Sequence, residues 1–135
     1  MAAATTAWRL AYVGALERWD TKAIVDALAD DVLIHVAVHD QPMRGNEIAD
    51  FLFGVLAEEL GAVTVTDEII DGDKAVILFE TSIGDRAAHG LNVVRLDDAG
   101  AIRELTVFFR PLAALTQIAE VVGGRISERF GPPPQ

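Results

Sequence analysis

Apolar residues recur with a helical period over the first part of the chain. The first stripe has intervals of four, three, one and three residues: Trp8, Tyr12, Ala15, Leu16 and Trp19. This spacing predicts a helix that Thr5 or Thr6 caps. A second, short helix is expected to start at Asp20 or Thr21 and to end at the run Ala29–Asp31.

A wider stripe follows, and then a strictly alternating pattern. The third helix is predicted from about Gly45 to Leu60, with one apolar face: Ile48, Phe51, Leu52, Val55, Leu56 and Leu60. Alternation and β-branched residues predict five strands, over residues 32–38, 63–70, 74–83, 87–96 and 102–110. Pro42 lies in the turn after the first strand, and Pro111 opens a final helix that Gly123 and Gly124 are expected to stop.

Helices followed by a run of strands are typical of the α+β class. We predict a single domain over residues 1–130 and an extended tail over residues 131–135. The expected architecture is a cone-shaped, curved antiparallel sheet wrapped by three helices around an apolar pocket, plus a C-terminal helix. No internal repeat or linker divides the chain.

Composition narrows the classes of partner. The 135 residues are 51% hydrophobic and 24% charged, which indicates a folded domain rather than a disordered one. A net charge of −10 argues against nucleic acid and against an anionic membrane surface. No cysteine is present for disulfides or thiolate chemistry. Because the start lacks the features of a secretory signal, a cytoplasmic location is expected. A small apolar ligand is compatible with this composition and net charge. Neither a cofactor nor a metal is expected.

Four segments occur in an order that is familiar from one superfamily: Tyr12–Leu16, Ala29–Val32, Pro42–Gly45 and Arg103–Leu112. With the order of helices and strands, they make residues 7–112 resemble the nuclear-transport-factor-2-like superfamily, in its SnoaL-like and ketosteroid-isomerase-like subgroup. That superfamily includes ketosteroid isomerases, limonene epoxide hydrolases and polyketide cyclases. The resemblance implies a protein that acts on a small, largely apolar ligand such as a polyketide or a steroid.

The resemblance also implies roles for particular residues. In ketosteroid isomerases, a first-helix tyrosine and a late-strand aspartic acid donate hydrogen bonds to the enolate oxygen, and these positions match Tyr12 and Asn92. The general base aligns with Val36, which cannot accept a proton. His39 and Asp40, expected at the pocket mouth, are the candidates to replace that base.

Two other kinds of site find little support. Limonene epoxide hydrolases need an arginine between two carboxylates, and the matching positions here are Thr81, Ile83 and Val107. A metal site built from the three histidines His35, His39 and His89 is not favoured by their spacing.

Strand alternation and the third helix together predict the pocket wall. The expected lining residues are Ile34, Val36, Val38, Phe51, Val55, Val94, Leu105, Val107 and Phe109. Phe108 and His35 fall on the opposite sheet face, which is predicted to form a homodimer. Two hypotheses stay open: an enzyme that uses the polar residues above, and a non-catalytic binding protein or dimerisation module.

Overall fold

The computed structural model describes residues 8–38 and 40–131. Its elements in chain order are α1 (Ala11–Arg18), α2 (Thr21–Asp26), β1 (Leu28–His35), β2 (Met43–Arg44), α3 (Asn46–Glu59), β3 (Thr64–Asp71), β4 (Lys74–Ile83), β5 (Arg86–Leu96), β6 (Ile102–Arg110) and α4 (Leu112–Phe130). The strands form one curved, unclosed sheet in the order β2-β1-β6-β5-β4-β3. The α+β class and the helix-wrapped sheet are therefore confirmed.

The sheet is mixed rather than antiparallel, which corrects the prediction. β1 pairs with β6 in parallel, with Ile34 opposite Leu105, whereas the remaining neighbours are antiparallel. Local alternation describes each strand but not the direction of a partner far away in sequence. The bounds of β4 and β6 agree with the prediction, because both strands are rich in apolar residues and lie between clear turns.

β1 lies earlier in the chain than predicted. It begins at Leu28 rather than at Val32 and ends at His35, so Val36 and Val38 follow the strand instead of belonging to it. The run Ala29–Asp31, expected to break a helix, is strand, and Leu28 is paired with Ile102 across an irregular register. Long-range pairing here overrides the local preference of the acidic residues.

α4 also differs from its prediction, because it does not stop at its two glycines. The helix continues through Gly123 and Gly124 to Phe130 and ends at Gly131, which has a positive φ of 85°. Each interior glycine costs about 1 kcal/mol relative to alanine. The buried side chain of Ile126 packs the last turns onto the domain, which offsets part of that cost.

Two glutamates anchor the first helix on β3. Thr5 and Thr6, the predicted caps, lie outside the described residues, and α1 begins only at Ala11. The Glu68 carboxylate accepts hydrogen bonds from the backbone N–H groups of Arg9 and Leu10, both at 2.8 Å. The Glu17 carboxylate accepts from the Trp8 indole and from the Val65 backbone N–H, both at 2.9 Å.

The inner face of the sheet carries the residues that the alternation predicts for it. Asn92 lies opposite Val107, and Val94 lies opposite Leu105. α3 packs against β1, β2 and α4, while α4 packs against β4, β5 and β6. Within the described ranges, no helix combines the length and the apolar character needed to cross a membrane.

Candidate functional site

A buried hydrogen bond joins the first helix to the middle of the sheet. The hydroxyl of Tyr12, on α1, donates to the side-chain oxygen of Asn92, on β5, over 2.6 Å. The two residues are 1% and 3% exposed. Phe53 of α3 packs edge-on against the Tyr12 ring, with ring centroids 6.2 Å apart. The structure therefore brings together the two residues to which the resemblance assigns the donor role.

The electrostatics of this pair keep it neutral. Burial raises the pKa of Tyr12 well above its ordinary value, because the phenolate would lose its hydration. The hydroxyl thus stays protonated at neutral pH and gives its hydrogen to Asn92. Among residues 8–38 and 40–131, none accepts a hydrogen bond from the Asn92 amide nitrogen. The buried amide nitrogen of Asn92 can consequently donate to a ligand or to a water molecule.

An apolar cavity lies at the wide end of the cone, between the sheet, α3 and α4. Its volume is about 30 Å³, and its lining residues are Val36, Ala37, Val38, Leu52, Leu56, Val107, Phe109, Ile118, Val122 and Ile126. A cavity of that size holds only one or two water molecules. Because every described lining side chain is apolar, the described part of the cavity wall offers no group that accepts or donates a proton.

The cavity and the polar pair are neighbours in the sheet. Val107, on the cavity wall, lies directly opposite Asn92. The next set of cross-strand neighbours contains Phe79, Gly90 and Phe109. The Phe79 ring lies over Gly90 and meets the Phe109 ring edge-on, with ring centroids 5.9 Å apart. A Cβ atom at Gly90 would approach the Phe79 ring to 2.5 Å, so glycine is required there. Aromatic side chains thus occupy space that an open pocket would leave free.

The predicted lining residues separate into three groups. Val36, Val38, Val107 and Phe109 line the cavity. Fully buried core positions are taken by Ile34, Val55, Val94 and Leu105. Phe51 does not line the cavity: it is half-buried at the outer edge of α3 and packs edge-on against Phe130, with centroids 5.3 Å apart.

Side chains that the prediction omitted complete the cavity. Leu52 and Leu56 come from α3, and Ile118, Val122 and Ile126 come from α4. The α4 residues recur every four positions, so the periodicity of that helix carried the signal. Ile126 was missed because the helix was expected to stop at Gly123, whereas Ile118 and Val122 lay within the predicted helix but were not assigned to the pocket.

The candidate replacement bases do not lie on the described cavity wall. Asp40 is exposed in the turn after β1 and is not among the lining residues, and His39 lies outside the described residues. His35 is on the outer sheet face, where its ring is 2.8 Å from the Glu104 carboxylate. The Thr81 hydroxyl donates to the Gly61 carbonyl at 3.1 Å. In the described part of the chain, no three potential metal ligands come together.

The chain is similar in structure to several solved proteins. A steroid delta-isomerase from Pseudomonas aeruginosa matches with a TM-score of 0.78 and 21% identity, over 88% of each chain. An uncharacterized bacterial protein with a cystatin-like fold, from Silicibacter pomeroyi, matches with a TM-score of 0.81 and 17% identity, over 90% of this chain and 91% of that one.

A third structure was solved with a small amine. It is a protein from Catenulispora acidiphila with a ketosteroid-isomerase-like fold, in complex with trimethylamine; the TM-score is 0.65 and the identity 16%, over 86% of this chain and 95% of that one. No known family model matches the sequence. No curated protein matches it either. At these identities the likeness describes the fold and leaves the activity open.

Proposed function

Starting from the nuclear-transport-factor-2-like fold of this chain, we propose that it binds a small, largely apolar ligand in its concavity without abstracting a proton from it. The observation that carries the proposal is the cavity wall, on which every side chain from residues 8–38 and 40–131 is apolar. Apolar ligands gain free energy from leaving water for such a surface. Proton abstraction needs a positioned acceptor, and Val36 stands where the resemblance places one.

Binding of an uncharged apolar probe tests this proposal. We expect N-phenyl-1-naphthylamine to bind the native protein with a fluorescence increase. Val107→Trp, which fills the cavity, should weaken binding by about tenfold or more. The matched control is Ile69→Trp, because Ile69 lies on the same sheet but is 58% exposed. Equal affinities for both variants would contradict binding at the cavity.

A second candidate function is an enzyme of the isomerase or cyclase type. The buried Tyr12–Asn92 pair favours it, because the Asn92 amide, held by the Tyr12 hydroxyl, is a neutral donor, and such donors in a dry site stabilise a developing oxyanion. The steroid delta-isomerase among the similar structures points the same way. The lack of a base on the described cavity wall ranks this candidate below the binding protein.

The outer sheet face supports a further proposal, that two copies of the chain associate through it. Phe108 is 51% exposed there. Its cross-strand neighbours are also apolar, since Phe108 is opposite Leu91 and Leu91 is opposite Leu78. An apolar strip of this kind is typical of a self-association surface.

Sedimentation equilibrium at micromolar concentration tests the association. We expect a dimer for the native protein, and Phe108→Arg should weaken it by about tenfold or more, because a charge would be buried without a partner. Leu112→Arg is the control, since Leu112 is 77% exposed at the start of α4. A native protein that stays monomeric, or a control as disruptive as Phe108→Arg, would exclude this surface.

A further inference from the structure

The last turns of α4 are joined to the rest of the helix through two glycines. Gly123 and Gly124 have ordinary helical backbone, since neither has a positive φ. A Cβ atom built on either residue meets no atom within 4 Å. Neither packing nor conformation therefore requires glycine, although glycine weakens a helix interior more than any residue except proline. Glycines in such positions are where helices bend.

The segment after the glycines covers one side of the cavity and is held by few buried contacts. Ile126 lines the cavity, and it is the one buried side chain between Arg125 and Gly131.

The other contacts of this segment lie at the surface of α3. Arg125 pairs with Glu58 and Glu59, and Phe130 packs edge-on against Phe51. Ion pairs with this much access to solvent contribute little to stability.

The part of α4 before the glycines is held more firmly. Ala114, Ile118 and Val122 are buried against the sheet and α3. Gln117 also accepts a hydrogen bond from Arg86 of β5, at 3.3 Å. The helix thus consists of a docked part and a weakly docked part, and the glycine pair separates them.

We propose that residues 125–130, called the lid below, swing about Gly123 and Gly124 and open the cavity to the ligand. This inference rests on the proposed function. The cavity of about 30 Å³ is smaller than the pockets that hold small molecules, so the ligand must displace part of the wall. Within the helix, bending at the glycines breaks only the hydrogen bonds that cross them, which residues 124–127 donate. It also separates Arg125 and Phe130 from their contacts on α3.

Hydrogen exchange tests the hinge without any ligand. We expect the amides of residues 124–127 to exchange at one common rate, about tenfold or more faster than those of residues 116–122. The double variant Gly123→Ala/Gly124→Ala should slow that group by about tenfold, because alanine favours the unbroken helix. Gly54→Ala is the matched control, since Gly54 lies inside α3 and also has no atom near its Cβ position.

Fraying from the chain end would give a different pattern. Exchange rates would then fall steadily from Phe130 inward, and the double alanine variant would leave the amides of residues 124–127 unchanged. That result would overturn the hinge.

Stopped-flow binding of N-phenyl-1-naphthylamine tests the gating role. In the double alanine variant, association should slow by about tenfold and the Kd should rise by about the same factor, because the bound ligand keeps the lid displaced whereas alanine favours the unbroken helix. Arg125→Gln, which removes both ion pairs, should speed association and lower the Kd. An unchanged association rate in the double variant would overturn the lid. A native protein that shows the hinge in hydrogen exchange but does not bind the probe would overturn the proposed function and leave the hinge supported.

Discussion

Val36→Asp is expected to raise the ketosteroid isomerase rate of the protein about 10²–10⁴-fold above the native level. Val36 lines the cavity beside Val107, and Val107 lies opposite Asn92. A carboxylate at residue 36 would therefore enter an apolar site near the Tyr12–Asn92 pair. Such surroundings raise the pKa of a carboxyl group towards neutrality and make it a stronger base. The measurement is the absorbance of the conjugated enone formed from a β,γ-unsaturated ketosteroid.

Two further variants separate base catalysis from a general change in the cavity. Val36→Asn has nearly the same size and polarity as the aspartate variant but no basic group, so it should stay at the native level. Tyr12→Phe in the Val36→Asp background should lower the rate by about tenfold or more, because the Asn92 amide, the donor to the oxyanion, loses the hydroxyl that orients it. Strong activity in the unmodified protein would show that another residue is the base, and Asp40 and His39 would be tested first.

Removing one partner of the Tyr12–Asn92 hydrogen bond is expected to lower the free energy of unfolding more than removing both partners. Tyr12→Phe and Asn92→Leu should each lower the free energy of unfolding by about 1–3 kcal/mol, because each leaves a buried polar group without a partner. The double variant should be destabilised by less than the sum of the two, since two apolar side chains then meet. Urea denaturation measures all three, and additive losses would show that the residues do not depend on each other.

Two controls accompany this cycle. Thr81→Val removes the hydroxyl that donates to the Gly61 carbonyl, but the Trp19 indole also donates to that oxygen, at 3.0 Å. The loss should therefore be smaller, about 1 kcal/mol or less. The second control is alkaline titration, because Tyr12 is the sole tyrosine in the chain.

The pKa of Tyr12 determines how the stability of the protein changes at alkaline pH. Burial raises the folded-state pKa of Tyr12 above its ordinary value of 10.0. The native state therefore holds the phenolic proton more tightly than the unfolded state. The resulting stability is fully present below that value and is lost as the pH rises above it. Phenolate absorbance should appear together with unfolding, and phenolate formation in the folded protein near the ordinary pKa would contradict the burial of Tyr12.

The sequence predicted best the elements whose pattern is local. β4 and β6 are apolar runs between clear turns, and α3 has a broad apolar face that begins beside Gly45. β2 has only two residues, too few for any period to be visible. The parallel pairing of β1 with β6 joins segments far apart in the chain, and no local pattern encodes it.

The site was harder to predict for reasons of packing. Phe51 and Phe53 are both apolar and lie on one helix, so the stripe alone could not tell that Phe53 contacts Tyr12 whereas Phe51 contacts Phe130. The Tyr12–Asn92 pairing was expected only through the resemblance. The small size of the cavity depends on the Phe79 ring and on α4, and neither was expected to fill the cone.

The anchoring of α1 on β3 also bears on how the protein avoids aggregation. β3 is an end strand of the sheet, and such strands can recruit strands from other chains. Glu17 occupies the backbone N–H of Val65, which an added strand could otherwise bind. The register shift between Val65 and Asp67 further disturbs the ladder that an incoming strand would have to match. β2, the other end strand, has only two residues. Growth of the sheet into a fibril is therefore opposed at both ends, and the net charge of −10 adds repulsion between copies in solution.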